Sequence, residues 1–448
     1  MRMTGIEIEL ATQGVWSGGT PGLITGINTD SRSTKSGDLF VALRGPHFDG
    51  HGFVGEALHK GAVGFVGDKA GVSSWQHPLV PMLEVPDTLQ ALGDIAAAWR
   101  QRFNSRVIAI TGSFGKTTLR SMLEHCFKGL GLRVLATRQN ENNLIGVPLT
   151  LLRAGGDEEV VLVECGISER GEMERLAAIV KADVGVITGL SLAHGEGLGN
   201  LADIAREKAI LLKKSGRWCA LGEDVSPVLQ EHSLMPDLSH LDMNADDDQI
   251  VRWKLQGQRV HFTMGIDKAD VKLMLPAVHI AADMALALSI VLKMFQQTDI
   301  HTLGDLMSGW RPVTGRMQCL AGPCGSTIIN DSYNANPASM RAALKTLRST
   351  AGKHFAILGD MEELGSRANQ LHACLDVSGL DGLILVGSRM RSLQARYPEA
   401  RWAPDALAAA DLAACWPLSE NDHVLIKASR ATGLELAVNS LMETGHAV

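Results

Sequence analysis

Apolar positions in this chain fall into short continuous runs separated by stretches with helical spacing. From Asp38 the sequence DLFVALRG predicts a strand and turn, followed by a helix over Phe53 to Lys60 and a second strand in AVGFVG. Strand, helix and strand with short links is a βαβ unit. A helix over Thr88 to Phe103 closes this first region. RVIAI (106–110), VVLVEC (160–165) and VGVITGL (184–190) are β-branched runs of the kind buried on both faces of a parallel sheet, and they predict a doubly wound α/β domain. Between 215 and 270 the pattern changes. A charged DMNADDDQ and the alternating VRWKLQGQRVHFTM predict antiparallel strands set apart from the central sheet. A helical run starts at His279, and Pro and Gly in WRPVTGRM (310–317) mark a linker. Beyond it STIIND, HFAILGD, DGLILVG and HVLIKAS predict four strands of a third α/β unit. The most apolar stretch, Leu275 to Phe295, is interrupted by His279, Asp283 and Lys293 and reads as a buried helix, not a membrane span.

Length agrees with this division, because 448 residues at about 150 per domain suggest three domains. A hydrophobic fraction of 45% and a charged fraction of 20% exclude disorder and collagen-like architecture. The formal charge of -7 offers no basic field for nucleic acid or an anionic membrane, so a polyanionic ligand has to be held locally. Seven scattered cysteines with no Cys-x-x-Cys pair read as reduced cytosolic thiols, and acidic residues near the N-terminus replace the apolar core of a signal peptide. These features point to a cytoplasmic protein. Glycine is abundant at 47 residues while tyrosine numbers only 2, which implies many close backbone approaches and little aromatic surface for stacking.

The densest chemical signal is TGSFGKTT (111–118), set between the strand RVIAI and a helix whose apolar stripe is Leu119, Met122, Leu123, Cys126 and Leu130. A strand, a Gly-rich loop and a helix start aim backbone N–H groups and the positive end of the helix dipole at an anion. Gly112, Ser113, Gly115 and Thr118 would line it, Lys116 would add charge, and the Thr117 hydroxyl can reach Mg²⁺. The leading Gly of a full Walker A pattern is replaced by Ile110. Glu164 ends its strand where ligands of an α/β sheet gather, as a metal ligand or a salt-bridged structural carboxylate. His194 lies in a Gly-rich loop, Lys208 in a helix, and Asn140, Asn142 and Asn143 precede a Gly-x-Pro turn. Each of these also has an ordinary structural reading.

Taken in order, TGSFGKTT, NENNLIGVP, VLVECG, LSLAHGEGLG and AREKA resemble the Mur ligases, the ATP-dependent amide ligases of peptidoglycan assembly. The segments INTDSRSTKSGDLFVALRGPHFDGHGF, IINDSYNANPASMRAAL, ILGDMEELG with His372 downstream, and IKASR are similar to the branch that adds D-alanyl-D-alanine to a UDP-N-acetylmuramoyl tripeptide. The resemblance spans nearly the whole chain and is weak between 215 and 270. It implies an N-terminal UDP-sugar-binding α/β domain (1–103), a central ATP-binding P-loop domain (104–311) and a C-terminal Rossmann-like domain (312–448).

The resemblance also implies roles. Lys116 and the loop amides would hold ATP phosphates, Thr117 and Glu164 a first Mg²⁺, and His194 and Lys208 a second, with Lys208 in carbamylated form. Asn140 would sit near the transferring phosphate. Arg316, Asp331, Asn334 and Asn336 would reach the nucleotide on closure, and Lys427, Ser429 and Arg430 would face a D-Ala-D-Ala-type amine. Asp30, Ser31, Arg32, Phe48, Asp49 and His51 would hold the UDP-muramoyl-peptide-type acceptor. A monomer is expected. The family's Asn assigned to adenine is replaced by Ile280, and the Gly of Lys-Gly-Ser-Arg by Ala428. A divergent amide ligase of a specialised pathway, joining another carboxylate and amine, is therefore a second reading. A nucleotide-binding protein that kept the fold is a third.

Overall fold

The computed structural model describes residues 1–45, 48–75, 79–192, 195–237, 239–244, 248 and 250–445. The first sheet places Val15–Ser17, Met82–Val85, Gly64–Asp68, Asp38–Val41 and Gly26–Asn28 side by side, parallel except for the first strand. Successive side chains of a strand point to opposite faces, and here both faces are apolar. Phe40 and Phe65 pack with Val54 and Ala57 on one side. Leu39, Val41 and Val66 pack with Leu92 and Ile95 of helix Thr88–Arg100 on the other. That second face continues without a break into Val147 and Leu176 of the next region, so helix Thr88–Arg100 is shared between two layers.

The central sheet is fully parallel, in the order His240–Asp242, Trp218–Leu221, Val184–Ile187, Arg106–Thr111, Val160–Glu164 and Val134–Ala136. Its first strand in the chain, Arg106–Thr111, lies between the third and the fourth. The connections therefore diverge at its carboxyl end, where a crevice opens. The expectation for residues 215–270 holds for the second half only. Arg252–Gln256, Arg259–Met264 and Asp267–Lys272 form the antiparallel meander, whereas Trp218–Leu221 and His240–Asp242 extend the parallel sheet. The apolar run after Pro276 is helix Val278–Met294, buried on most of its surface. No helix of the described residues is long and apolar enough to cross a membrane.

After an irregular link through Arg311 and Pro312, the third sheet orders Gln318–Ala321, Thr327–Asn330, His423–Lys427, His354–Gly359, Gly382–Val386 and Arg401–Ala403. Only its first strand is antiparallel. Helix Pro337–Arg348 covers one face and joins its Met340 and Leu344 to the apolar cluster of helix Val278–Met294. Helices Ala406–Ala413 and Glu435–Gly445 cover the other. All seven cysteines are free thiols.

Candidate active site

At the carboxyl end of Arg106–Thr111 the chain turns through Gly112, at φ 151°, and Gly115, at φ 83°, into helix Lys116–Gly129. Both glycines are required. A Cβ on Gly112 would lie 2.1 Å from the Thr188 hydroxyl, and Gly115 holds a left-handed conformation that costs other residues energy. Neighbouring backbone fixes the loop between them. Ser113 donates its N–H to the Gly189 carbonyl at 2.8 Å and its hydroxyl to the Ser191 carbonyl at 2.9 Å, and the Thr188 hydroxyl donates to the Phe114 carbonyl. Ile110, where the full Walker pattern has Gly, is a buried strand residue paired with Glu164 and Val186, so the strand simply runs further before the loop begins. Lys116 donates to the Gly112 carbonyl at 2.7 Å. Burial pulls its ammonium pKa down to about 8, Glu164 acting in the opposite sense.

Glu164 is fully buried, and both of its oxygens are engaged: Oε2 accepts from the Thr117 hydroxyl at 3.0 Å and Oε1 from Arg120 Nε at 2.8 Å. Arg120 also pairs with Glu124 at 2.6 Å. The carboxylate expected as a metal ligand thus lies against the Thr117 hydroxyl and the Arg120 guanidinium. Arg120 went unnoticed in the sequence, where it is one charged residue on an amphipathic helix. Lys208 is 1% exposed. Burial, and then the nearby Lys116 charge, push its pKa well below the usual lysine value. His194 lies outside the described residues.

Two cavities open from this loop. One, of about 660 Å³, is lined by Ser113 to Thr118, Asn140, Asn142, Asn143, Tyr333 to Asn336, Glu362, Glu363 and Ser429 to Ala431. The other, of about 380 Å³, is lined by Phe114, Thr188, Glu223, His279, Ile280, Asp283, Asp331, Lys345 and Lys427. Arg316 borders both. Its guanidinium sits 4.2 Å from the Tyr333 ring centroid, with Arg430 5.7 Å from the same ring, and its Nε–H is buried with no acceptor among the described residues. Asn336 caps helix Pro337–Arg348 and donates its amide to the Ser113 carbonyl at 3.0 Å, joining the third domain to the phosphate loop.

Lys427 lies at the smaller cavity. It is 2% exposed, donates to Asp331 at 2.6 Å and to the Asn334 carbonyl at 2.9 Å, and faces the smaller cavity, not the one that Ser429 and Arg430 line. Asp331 spends its other oxygen on the Met317 N–H, so this pair is a fixed wall of the smaller cavity. Asn334 lines the larger cavity, with its own carboxamide oxygen accepting from the Ala335 N–H. Thr188, Glu223, Asp283 and Glu363 were not singled out in the sequence, since their place depends on contacts between distant segments.

The first domain carries a separate cavity of about 390 Å³, lined by Thr29, Asp30, Ser31, Arg32, Phe40, Phe48, Gly50, Phe53 and Glu56. Asp30 pairs with Arg32 at 2.7 Å, which holds its carboxyl below the usual range, and the Ser31 hydroxyl donates to Glu56 at 2.7 Å. Phe48 and Phe53 are about half exposed, at 54% and 50%, and line the cavity. His51 does not join them. Its Nε2 accepts from the Asp68 N–H at 3.2 Å, so Nδ1 carries the proton and donates to Asp49 at 2.6 Å. The ring is packed against Gly67 and Gly71, where a Cβ on Gly71 would come within 1.9 Å of it. The histidine expected at the ligand thus has both ring nitrogens engaged within the fold. Asp49, tied to it and to Arg44 at 2.6 Å, caps the short turn Gly50–Phe53.

Comparison with known proteins agrees with this arrangement. The family descriptions "Mur ligase family, catalytic domain", "Mur ligase middle domain" and "Mur ligase, glutamate ligase domain" match residues 23–100, 110–291 and 315–430. The UDP-N-acetylmuramoyl-tripeptide--D-alanyl-D-alanine ligase of Bacillus subtilis is 30% identical over 444 residues, 94% of each chain. That of Synechocystis is 34% identical over 435 residues, 94% of this chain and 92% of the relative. A crystal structure of MurF from Acinetobacter baumannii superposes with a TM-score of 0.86 at 27% identity, covering 99% of both chains. MurF ligase from Thermotoga maritima in complex with ADP gives 0.81 at 26% identity over 94% of this chain and 98% of that one. With three segments matched in order and almost its full length covered, the chain belongs to the Mur ligase family.

Proposed function

We propose that this chain joins the amino group of D-alanyl-D-alanine to the terminal carboxylate of a UDP-N-acetylmuramoyl tripeptide, using ATP and passing through an acyl phosphate. The observation that carries this reading is the convergence of the phosphate loop, the Asn-rich turn and the third-domain segments Tyr333–Asn336 and Ser429–Ala431 on one cavity of about 660 Å³. A carboxylate, a γ-phosphate and an amine need such a common chamber. The aromatic-rimmed cavity of the first domain suits the uridine end of the acceptor, and the smaller cavity beside Phe114 suits the nucleoside of ATP.

A carboxylate approaching a triphosphate is repelled, so charge has to be neutralised and the reacting atoms aligned. Lys116 and Arg316 line this chamber and would do so. The unmatched Nε–H of Arg316 asks for an anion, and bound phosphates would restore the full charge that burial takes from Lys116. Oxygen donors suit Mg²⁺. Thr117, oriented by Glu164, would hold one ion with phosphate oxygens, and Lys208 as a carbamate, with His194, a second; such ions would supply further positive charge at the phosphates. Carbamylation fits the surroundings of Lys208, because it needs a neutral amine and turns repulsion between Lys208 and Lys116 into attraction. Asn140 borders the chamber where the phosphoryl group would move. Closure of the third domain over it would shield the acyl phosphate from hydrolysis.

Phosphate release by the purified chain with ATP, Mg²⁺ and both substrates tests the reading. Release should depend on the dipeptide, and a rate no higher than in its absence would sink the proposal. Replacing Lys116 with Ala should lower the rate by on the order of 10²–10³-fold, as expected for loss of one preorganised charge stabiliser.

A further inference from the structure

Where the link leaves the central domain at Arg311 and Pro312, it borders a further cavity of about 400 Å³ that none of the chemistry above uses. That is the size of a small-molecule pocket. Leu275, Met284, Met307 and Trp310 wall it, none more than 7% exposed. The indole N–H of Trp310 already donates to the Ser121 hydroxyl at 3.1 Å, so the ring offers an occupant apolar surface only. Met274 and Met317 bring the lining methionines to four. Their flexible thioethers adapt to a ligand's outline and make favourable contacts with ring edges, so these walls suit an aromatic body.

Charge comes from Lys272 and Arg311, both exposed, and no acidic residue lines the cavity among the described residues. Arg311 donates to the Ser308 and Trp310 carbonyls at 3.1 and 2.8 Å, and neutral carbonyls leave its charge uncompensated. Apolar walls with two cations beside them complement a molecule that carries one negative charge on an apolar frame.

Two residues connect this cavity to the phosphate loop. Ile280 and Met317 line it and also line the smaller cavity beside Phe114. Met317 is held at φ 55°, a left-handed conformation that costs a residue with a side chain, and its N–H donates at 3.1 Å to Asp331, the partner of Lys427. Arg316, one residue earlier, borders both cavities at the loop. Because the central domain and the link build the cavity together, an occupant holds the link where it presents Arg316 and Met317.

We propose that the cavity at the link is a second ligand site, for a small aromatic monoanion, and that its occupancy tightens nucleotide binding. The coupling rests on the reading that the smaller cavity takes the nucleoside of ATP, whereas the ligand site stands without it. Linkage makes the factor equal in both directions: the anion tightens the nucleotide as much as the nucleotide tightens the anion.

The probe is 1-anilinonaphthalene-8-sulfonate, an aromatic frame with one negative charge whose fluorescence rises on leaving water. Titration of the full chain should show saturable binding that weakens about three- to tenfold in Lys272→Glu, the scale of reversing one exposed charge, and also weakens in Arg311→Gln. N-phenyl-1-naphthylamine, the same frame without the charge, should bind the native chain and Lys272→Glu alike. Saturating ADP should tighten the sulfonate on the order of fivefold or more, and calorimetry should find ADP tightened by the same factor when the sulfonate is bound. Sulfonate binding unchanged in both variants would overturn the ligand site, as would displacement of the dye by ADP, which would put the dye in the nucleotide's own cavity. Binding that depends on Lys272 but ignores ADP, in a chain that does bind ADP, would overturn the coupling. A native chain that binds the dye through Lys272 and takes up no ADP would instead overturn the reading of the smaller cavity, and the coupling with it.

Discussion

Beneath the phosphate loop, Arg120 and Glu164 form an ion pair that is nearly closed to water, with side chains 10% and 0% exposed. Each charge would be costly alone, and the pair is tolerable because Arg120 also meets Glu124 and Glu164 also meets Thr117. Replacing Arg120 with Met strands a buried carboxylate. Urea unfolding should show a loss of about 3–5 kcal/mol, the usual consequence of removing one partner of a buried pair. Most of the loss should return in Arg120→Met with Glu164→Gln, where the charge is gone as well. A single variant as stable as the native chain would mean that water reaches Glu164. At the same scale, His51 illustrates how a polar residue in a ligand-like motif can serve the fold, since both of its ring nitrogens are consumed by Asp49 and Asp68.

The loop and the first turn of helix Lys116–Gly129 act together as an element, and their pH behaviour follows from the lowered Lys116 pKa. Burial brings the group down to about 8, below its ordinary value of 10.5. Between those values the unfolded chain binds more protons, so this lysine makes the ligand-free protein more stable as pH rises through that window. Nucleotide binding runs the other way. Phosphate charge raises the pKa, binding takes up a proton above pH 8, and affinity should fall by up to about tenfold per pH unit there while staying flat just below. Calorimetric titration with a non-hydrolysable ATP analogue between pH 7.5 and 9.5 checks this. Lys116→Arg, which stays charged, should flatten the slope, and a flat profile in the native chain would contradict the assigned pKa.

This element was also the most legible part of the sequence, because strand, loop, cation and helix are contiguous from Arg106 to Gly129. The long apolar strands were legible for a related reason: burial on both faces leaves an unbroken hydrophobic run, as in Val160–Glu164. Short strands such as Val15–Ser17 and Trp218–Leu221 gave no such run. Their pairing comes from neighbours far along the chain, Met82–Val85 for the first and Val184–Ile187 for the second. The Thr188 hydroxyl on the Phe114 carbonyl and the Lys427–Asp331 pair are likewise products of assembly, which no local pattern encodes.

At the scale of the molecule, one apolar cluster runs from Ile108 through Met284 and Met317 to Met340 and Leu358, so the central and third domains share a core across the linker. Polar contacts at the mouth of the site then decide how the third domain meets the phosphate loop, and Asn336 makes the most direct of them. Its side chain has two duties: Oδ1 caps helix Pro337–Arg348 through Ser339 N–H at 2.9 Å, and Nδ2 reaches the Ser113 carbonyl at 3.0 Å. Aspartate separates them. Asn336→Asp keeps an acceptor of equal capping quality but sets a carboxylate oxygen against the Ser113 carbonyl, whereas Asn336→Ala loses both contacts. The aspartate variant should therefore melt close to the native chain, while the alanine variant loses about 1 kcal/mol of helix capping. Both should show a raised KM for ATP, by on the order of tenfold, since a lost hydrogen bond of this kind with one partner left buried costs about 1–3 kcal/mol. Solution scattering should show a larger radius of gyration for both, because the loop no longer holds the third domain. A native KM and native scattering in Asn336→Asp would place the closing force in the shared apolar core alone.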